Sequence, residues 1–174
     1  MDIAAKTDLE SIVKVKNFAK GENILNYGNI CRHLFFINTG LVKVFSYKKD
    51  KEFAMRFFSE NQLFSVFDSY IMRTPSKFLV RALEDTTVTL ISFSDMEHLC
   101  AKHHSMETFF RRITADTTVR MTKRINEMLE EDANERYHNF VIENRSVIQR
   151  ISLGDLAKYL GITQQSLSRI RTQK

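Results

Sequence analysis

The 174-residue sequence predicts an α+β protein with an N-terminal β-sandwich or barrel, a long helix and a small C-terminal helix-turn-helix. Three observations predict this order. Short segments rich in Phe, Val, Ile and Thr alternate with turns up to about residue 95, apolar residues recur at helical spacing from Ser105, and the last 22 residues indicate two short helices around a glycine. The change from a two-residue to a 3.6-residue repeat marks the change from strands to helices.

The strand prediction rests on four segments in which β-branched and aromatic residues dominate. They are ENILNYG, HLFFINTG, LVKVFSYKKDKEFAMRFFS and FLVRALEDTTVTLISF. Glycines and charged pairs interrupt them at intervals suited to an antiparallel all-β unit. We predict hairpins at Thr39-Gly40 and at residues 48–51, because a glycine or a charged turn lies there between segments of alternating character.

One long helix is predicted to begin at Ser105, and its apolar side chains form a narrow stripe. Steps of three and four residues relate Met106, Phe110, Ile113, Thr117, Met121, Ile125 and Met128. Such a stripe suits a parallel partner helix, so we predict a homodimer. The alternative is that the stripe packs on the chain's own β-unit, and Phe109 and Leu129 broaden it enough to contact both.

Basic charge is concentrated at the C-terminal end of the chain. Residues 135–174 carry seven Lys or Arg against three Asp or Glu, a net charge of +4, whereas residues 1–134 carry nineteen against eighteen. A basic surplus in one small region favours a polyanionic partner for that region, although a solvated polar face is the alternative.

The sequence argues against several functional classes. No run of about 18 apolar residues could span a bilayer, and MDIAAKTDLESIVK is unlike a signal peptide, so we expect a cytoplasmic protein without membrane contact. Cys31 and Cys100 belong to no C-x-x-C pair and are expected to be reduced core thiols. Because phosphate-binding glycine loops, hydrolase triads and the His-x-His metal motif are missing, we predict no enzyme, metal or cofactor.

The last 22 residues, LGDLAKYLGITQQSLSRIRTQK, predict the helix-turn-helix. Ser152, with Asp155 three residues later, caps the first helix; Gly161 supplies a left-handed turn; and Thr163 caps the second helix. At 100° per residue, Leu167, Ile170 and the stem of Lys174 point inward. The outward face contains no acid and consists of Gln164, Gln165, Ser168, Arg169, Arg171 and Thr172.

Amides and guanidinium groups are the side chains that bond base edges and phosphates, so this face predicts DNA binding. Gln164, Gln165 and Arg169 lie over the first two turns of the second helix and are the candidates for base contacts. The flanking residues expected to bind phosphate are Thr163, Ser168, Arg171 and Lys174.

Two segments resemble Crp/Fnr-type transcriptional regulators, particularly the short Bacteroidetes-like members. FAKGENILNYGNICRHLFFINTGLVKVF is similar to the opening of a cyclic-nucleotide-binding-type β-roll, and ISLGDLAKYLGITQQSLSRIR to the helix-turn-helix. The resemblance implies a jelly-roll sensor domain (double-stranded β-helix) over residues 1–104, a dimerisation helix and linker over 105–132, and a DNA-binding domain over 133–174. It also implies an inverted-repeat operator, RNA polymerase as a partner and a small-molecule effector.

The sequence departs from cyclic-AMP-binding members of the family at the residues that hold the nucleotide. Phe64-Ser65 stands near their Gly-Glu pair, and Ser76-Lys77-Phe78 where their arginine would lie. A ribose-binding carboxylate and a bidentate phosphate-binding guanidinium are thereby lost, so we expect an effector other than cyclic AMP. The candidate effector residues are Phe64, Ser65 and Lys77; a wall of Phe57, Phe58, Phe64 and Phe67 suggests a more apolar ligand, or simply core.

We also expect the DNA-binding domain to lack the β-hairpin wing of longer relatives, because little sequence follows Arg171. Phosphate contacts must then come from the helix-turn-helix itself. The sequence thus predicts a sequence-specific transcriptional regulator; the alternative is a small-molecule-binding or protein-interaction β-roll module that does not bind DNA.

Overall fold

The computed structural model describes residues 2–172, and its N-terminal half is built from two four-stranded antiparallel sheets. The strands are β1 (Lys14–Phe18), β2 (Asn23–Leu25), β3 (His33–Thr39), β4 (Val42–Lys48), β5 (Lys51–Phe58), β6 (Leu63–Phe64), β7 (Leu79–Ala82) and β8 (Thr86–Ser92). One sheet has the order β1-β8-β3-β6 and the other β2-β7-β4-β5. Most successive strands therefore change sheet, as in a jelly roll, and the predicted fold class is confirmed.

Seven helices complete the described part of the chain. They are α1 (Ile3–Ile12), α2 (Phe67–Met72), α3 (Phe93–Lys102), α4 (His104–Glu130), α5 (Ala133–Glu143), α6 (Leu153–Leu160) and α7 (Gln164–Thr172). The long helix predicted from residue 105 is α4, with 27 residues. A capping box of Asp132 and Glu135 begins α5, so the chain turns sharply after α4.

The predicted hairpin at Thr39-Gly40 is wrong. Strand β3 pairs with β6 and β8, whereas β4 pairs with β5 and β7, so the chain crosses at Gly40 from one sheet to the other. Gly40 has a φ of 104°, and a Cβ at this position would lie 2.4 Å from Thr86 Oγ1. Conformation and space both require glycine here, and a crossover needs it as much as a hairpin does.

The second predicted hairpin, at residues 48–51, is confirmed. Lys48 pairs with Lys51, and the two residues between them, Lys49 and Asp50, have φ values of 49° and 61°. Positive φ at both central residues is the pattern of a two-residue turn that matches the twist of the flanking strands.

The core of the β-roll (residues 14–92) lies between the two sheets and extends into the helices that follow. Leu34, Val42 and Val88 are fully buried between the sheets, and Met96 of α3 and Met106 of α4 join the same cluster. The first turns of α4 are therefore anchored on the β-roll.

The apolar stripe predicted along α4 divides into two parts. Phe110 and Ile113, in its first half, pack against the β-roll core, as the alternative interpretation held. Met121, Ile125 and Met128, in its second half, are 49%, 58% and 45% exposed in the single chain. Only this second half is available to a partner helix.

A second apolar cluster joins the C-terminal helices to the outer face of β4 and β5. Ala54 and Phe57 of the β-roll contact this cluster, which includes Phe140 of α5, Leu156 of α6 and Leu167 of α7. The ring of Phe57 meets that of Phe140 with centroids 6.2 Å apart. The helix-turn-helix is consequently packed against the β-roll rather than extended away from it.

Candidate nucleic-acid interface and effector cavity

The helix-turn-helix has the local geometry that its sequence predicts. The Ser152 hydroxyl accepts a hydrogen bond from the Asp155 backbone N–H, and Gly161 ends α6 with a φ of 72°. The Ile162 N–H then donates to the Ala157 carbonyl at 3.0 Å, which closes the turn. Each of these contacts spans five residues or fewer, so the local sequence is enough to specify it.

Gly154 lies close to the flexible side chain of Gln164, a contact that the sequence does not predict. A Cβ at Gly154 would lie 2.6 Å from Nε2 of Gln164, the first residue of α7. Glycine inside a helix costs about 1 kcal/mol relative to alanine. Its presence in the first turn of α6 is the signal that could have indicated this close approach of α7.

The outward face of α7 is exposed as predicted. Leu167 is buried and Ile170 half-buried, and the Thr163 hydroxyl accepts from the Ser166 N–H at 3.1 Å and so caps the helix. The residues on the exposed face are Thr163, Gln164, Gln165, Ser168, Arg169, Arg171 and Thr172. Lys174, also predicted to bind DNA, lies outside the described residues.

Part of the basic surplus of the C-terminal region is occupied within the molecule. Arg136 donates to the Leu160 carbonyl at the end of α6, Arg150 pairs with acids of the β-roll, and Lys158 lies 3.3 Å from Glu52. Among the described residues after 134, Arg145, Arg169 and Arg171 are the exposed cations. The charge available to a polyanion is therefore concentrated on and near α7.

Arg150 holds the C-terminal helices to the β-roll. Its guanidinium donates to both carboxylate oxygens of Glu60, at 2.8 and 2.9 Å, and also pairs with Glu84. Glu60 additionally accepts from the Gly40 N–H at 2.9 Å. The hydrogen bond from Arg150 is the main reason that the pKa of Glu60 falls to about 2.

A second charged cluster, Lys43 with Glu52 and Asp155, lies beside the apolar contact between the β-roll and α6. The Lys43 ammonium is 2.6 Å from Glu52 and 2.5 Å from Asp155, and its side chain is only 5% exposed. Burial alone would raise the pKa of both carboxyl groups, but the hydrogen bonds and charge of Lys43 outweigh it and lower the pKa of each. Both carboxyl groups are therefore held in their charged forms.

A cavity of about 370 Å³ lies between the end of β5, β6, the start of α2 and the middle of α4. Phe64 and Ser65, two of the predicted effector residues, line it together with Phe58 and Phe67. Phe64 is stacked on Phe58 with ring centroids 4.9 Å apart, and the Ser65 hydroxyl donates to the His33 carbonyl. Phenylalanine rings thus form one part of the cavity wall, and polar and charged side chains form another.

Two residues predicted to share this site lie elsewhere. Lys77 is exposed and does not line the cavity; its neighbour Ser76 is buried, with its hydroxyl donating to the Phe78 carbonyl. Phe57 faces the opposite side of β5, into the contact with the C-terminal helices. Phe58, Phe64, Ser65 and Phe67 thus line one cavity, whereas Lys77 and Phe57 lie outside it.

Comparison with known proteins is consistent with these observations. A family model of the cyclic nucleotide-binding domain matches residues 15–103, just over half of the chain. A search of curated protein sequences finds no match. The chain belongs to the cyclic nucleotide-binding domain family, and its architecture of β-roll, long helix and C-terminal helices is that of the Crp/Fnr-type regulators.

Solved structures share this fold over most of their length at low sequence identity. FixK2 of Bradyrhizobium japonicum has a TM-score of 0.81 at 19% identity, over 93% of this chain and 84% of its own. A regulator from Eubacterium rectale, assigned to the Crp/Fnr family, has 0.77 at 16%, over 98% and 82%. The c-di-GMP-responsive global regulator CLP of Xanthomonas campestris has 0.73 at 13%, over 97% and 89%.

No helix in residues 2–172 is long and apolar enough to cross a membrane. Within the same range, no group of three His, Cys, Asp or Glu side chains is arranged to hold a metal ion.

Proposed function

We propose that this protein is a sequence-specific DNA-binding transcriptional regulator that acts as a homodimer in the cytoplasm. The observation that carries the proposal is the exposed face of α7, which contains no acid and presents Gln164, Gln165 and Arg169 over its first two turns. Amide and guanidinium groups at the start of a helix match the donor and acceptor pattern of the major groove.

Two further features support the proposal. The fold is shared with proteins described as transcriptional regulators. The exposed second half of the α4 stripe suits pairing with a second subunit, which would present two α7 helices to two half-sites. RNA polymerase as a partner rests on the family resemblance alone.

The first prediction separates base contacts from phosphate contacts on α7. An operator selected from random duplexes should be an inverted repeat with half-sites about 10 base pairs apart. Arg169→Ala should weaken operator binding by about 1–3 kcal/mol and binding to random DNA much less. Arg171→Ala should weaken both similarly and lower the salt slope by about one unit. Fluorescence anisotropy over a range of salt concentrations measures these values.

Arg111→Ala is the control, because Arg111 is an exposed arginine on α4 far along the chain from α7. It should leave both affinities unchanged. Equal losses on operator and random DNA for Arg169→Ala would show that Arg169 does not read bases. A wild-type protein that shows no salt-dependent affinity for any duplex would favour the β-roll module without DNA binding.

The second prediction is that cyclic AMP does not bind tightly. Phe64 and Ser65 in the cavity supply no carboxylate for a ribose hydroxyl, and Lys77 lies outside it. Each missing charge-assisted hydrogen bond contributes about 1.5–3 kcal/mol. Isothermal titration calorimetry should therefore give no micromolar affinity for cyclic AMP or cyclic GMP, and a micromolar dissociation constant for either would contradict this. That CLP is c-di-GMP-responsive is consistent with other effectors in this fold.

A further inference from the structure

Arg56 lies on the inner face of β5, where its neighbours on the same face are apolar. The pairing of β4 with β5 shifts by one residue between Val44 and Phe45, so Val44 lies opposite Arg56 while Phe45 lies opposite Ala54. Met55 is the additional residue of this β-bulge, and the bulge reverses the direction of the next side chain. Residues directly opposite on a sheet share a face, so Arg56 lies on the face of Val44, which belongs to the core.

The guanidinium of Arg56 makes no ion pair within residues 2–172, although the charges of Asp116 and Glu127 are near enough to raise its pKa in part. It lines the effector cavity half-buried, 5.4 Å from the centre of the Phe58 ring, and makes no hydrogen bond or ion pair with the described residues. Burial and, next, the charge of Arg120 lower the pKa of Arg56. A half-buried guanidinium is normally hydrogen-bonded or paired, so Arg56 is available to bind an anion that enters the cavity.

The charge of the cavity wall is positive overall. Arg112 and Arg120 of α4 also line it, and Asp116, at 2.6 Å from Arg120, neutralises one of them. The β-roll and α2 contribute apolar side chains to the wall, namely Phe58, Phe64 and Phe67. A cavity of about 370 Å³ falls within the range of small-molecule sites.

We propose that the effector of this protein is an amphipathic anion, with an aromatic or aliphatic body against the phenylalanine wall and an acidic group bound by Arg56 and Arg112. Phe64 and Ser65 still supply no carboxylate for a ribose hydroxyl, so this ligand differs from cyclic AMP. The inference rests on the proposed regulatory function only in calling this ligand an effector.

A matched pair of fluorescent probes tests the proposal in the full-length protein without DNA. 1-Anilinonaphthalene-8-sulfonate carries one acidic group, and N-phenyl-1-naphthylamine is the same body without it. The wild-type protein should bind the sulfonate at least about tenfold more tightly than the uncharged probe. Arg56→Gln should weaken sulfonate binding by about tenfold and leave the uncharged probe unchanged, while Arg56→Lys should retain part of the preference.

Lys77→Gln is the control, since Lys77 is an exposed cation outside the cavity, and it should change neither affinity. 4-Phenylbutyrate should displace the sulfonate probe, and 4-phenylbutanol should not. Equal affinities for the two probes, or sulfonate binding unaffected by Arg56→Gln, would overturn the proposal. Because these titrations contain no DNA, neither result affects the conclusion of the Arg169→Ala test of DNA binding.

Discussion

Replacing Lys43 with Met should destabilise the protein by about 3–5 kcal/mol, measured as the free energy of unfolding in urea. Lys43 is the central cation of the buried cluster that includes Glu52 and Asp155. Met fills a similar volume and preserves the contact with the Phe45 ring, over which the ammonium lies at 4.7 Å. The loss would therefore come from charge and not from a cavity.

The physical reason is that the two carboxylates would remain buried without their shared cation. Among the described residues, Glu52 keeps Lys158 at 3.3 Å and the Tyr47 hydroxyl at 3.3 Å, and Asp155 keeps the Ser152 hydroxyl. Removing one member of a buried ion pair costs more than replacing all of its members by apolar groups. The triple variant Lys43→Met, Glu52→Leu and Asp155→Leu should therefore regain most of the lost stability.

Lys48→Met is the matched control, because Lys48 is an exposed lysine on the same strand, β4. Its effect should stay within about 0.5 kcal/mol. An equal loss for Lys48→Met and Lys43→Met would mean that β4 simply tolerates Met poorly. No loss for Lys43→Met would show that the ion cluster does not stabilise the contact between the β-roll and α6.

Features fixed by nearby residues could be predicted from the sequence. The caps at Ser152 and Thr163, the turn at Gly161 and the exposed face of α7 all follow from residues within one or two helical turns. The hairpin at residues 48–51 also depends only on nearby residues. Lys49 and Asp50, the two residues of its charged turn, have the positive φ values that a two-residue hairpin turn needs. The sequence alone could therefore give the candidate DNA interface, with the exception of Gly154.

Features that depend on distant pairing could not be predicted. A glycine turn at Gly40 fits a hairpin and a crossover between sheets equally well. Which of the two forms depends on the pairing of β3 with β8, about fifty residues away. Lys43 meets Asp155 across 112 residues, and neither residue's neighbours indicate the other. Strict alternation along β5 would place Arg56 on the same face as Ala54, toward α6, and only the bulge at Met55 turns it into the cavity.

The apolar stripe along α4 could be predicted only in part. Its helical period follows from nearby residues, but the surface on which each half packs depends on distant parts of the chain. Periodicity identified the apolar residues, and only the packing of α3 and the β-roll shows that Ile113 is used within the chain. The test of dimerisation therefore belongs in the second half of the stripe, where Met121 and Ile125 are exposed.

The double variant Met121→Asp and Ile125→Asp should weaken self-association at least about 100-fold, because about 3 kcal/mol or more is lost when carboxylates are buried in an apolar seam without partners. Sedimentation velocity over a range of concentrations measures the shift from dimer to monomer. Both positions are exposed in the single chain, so the variant monomer should remain folded by circular dichroism. Ile142→Asp is the control, because Ile142 is 62% exposed on α5 and does not belong to the stripe, and it should leave the dimer intact. A dimer that survives the double variant would mean that the subunits meet on another surface, and the two α7 helices would then need a different arrangement to reach two half-sites.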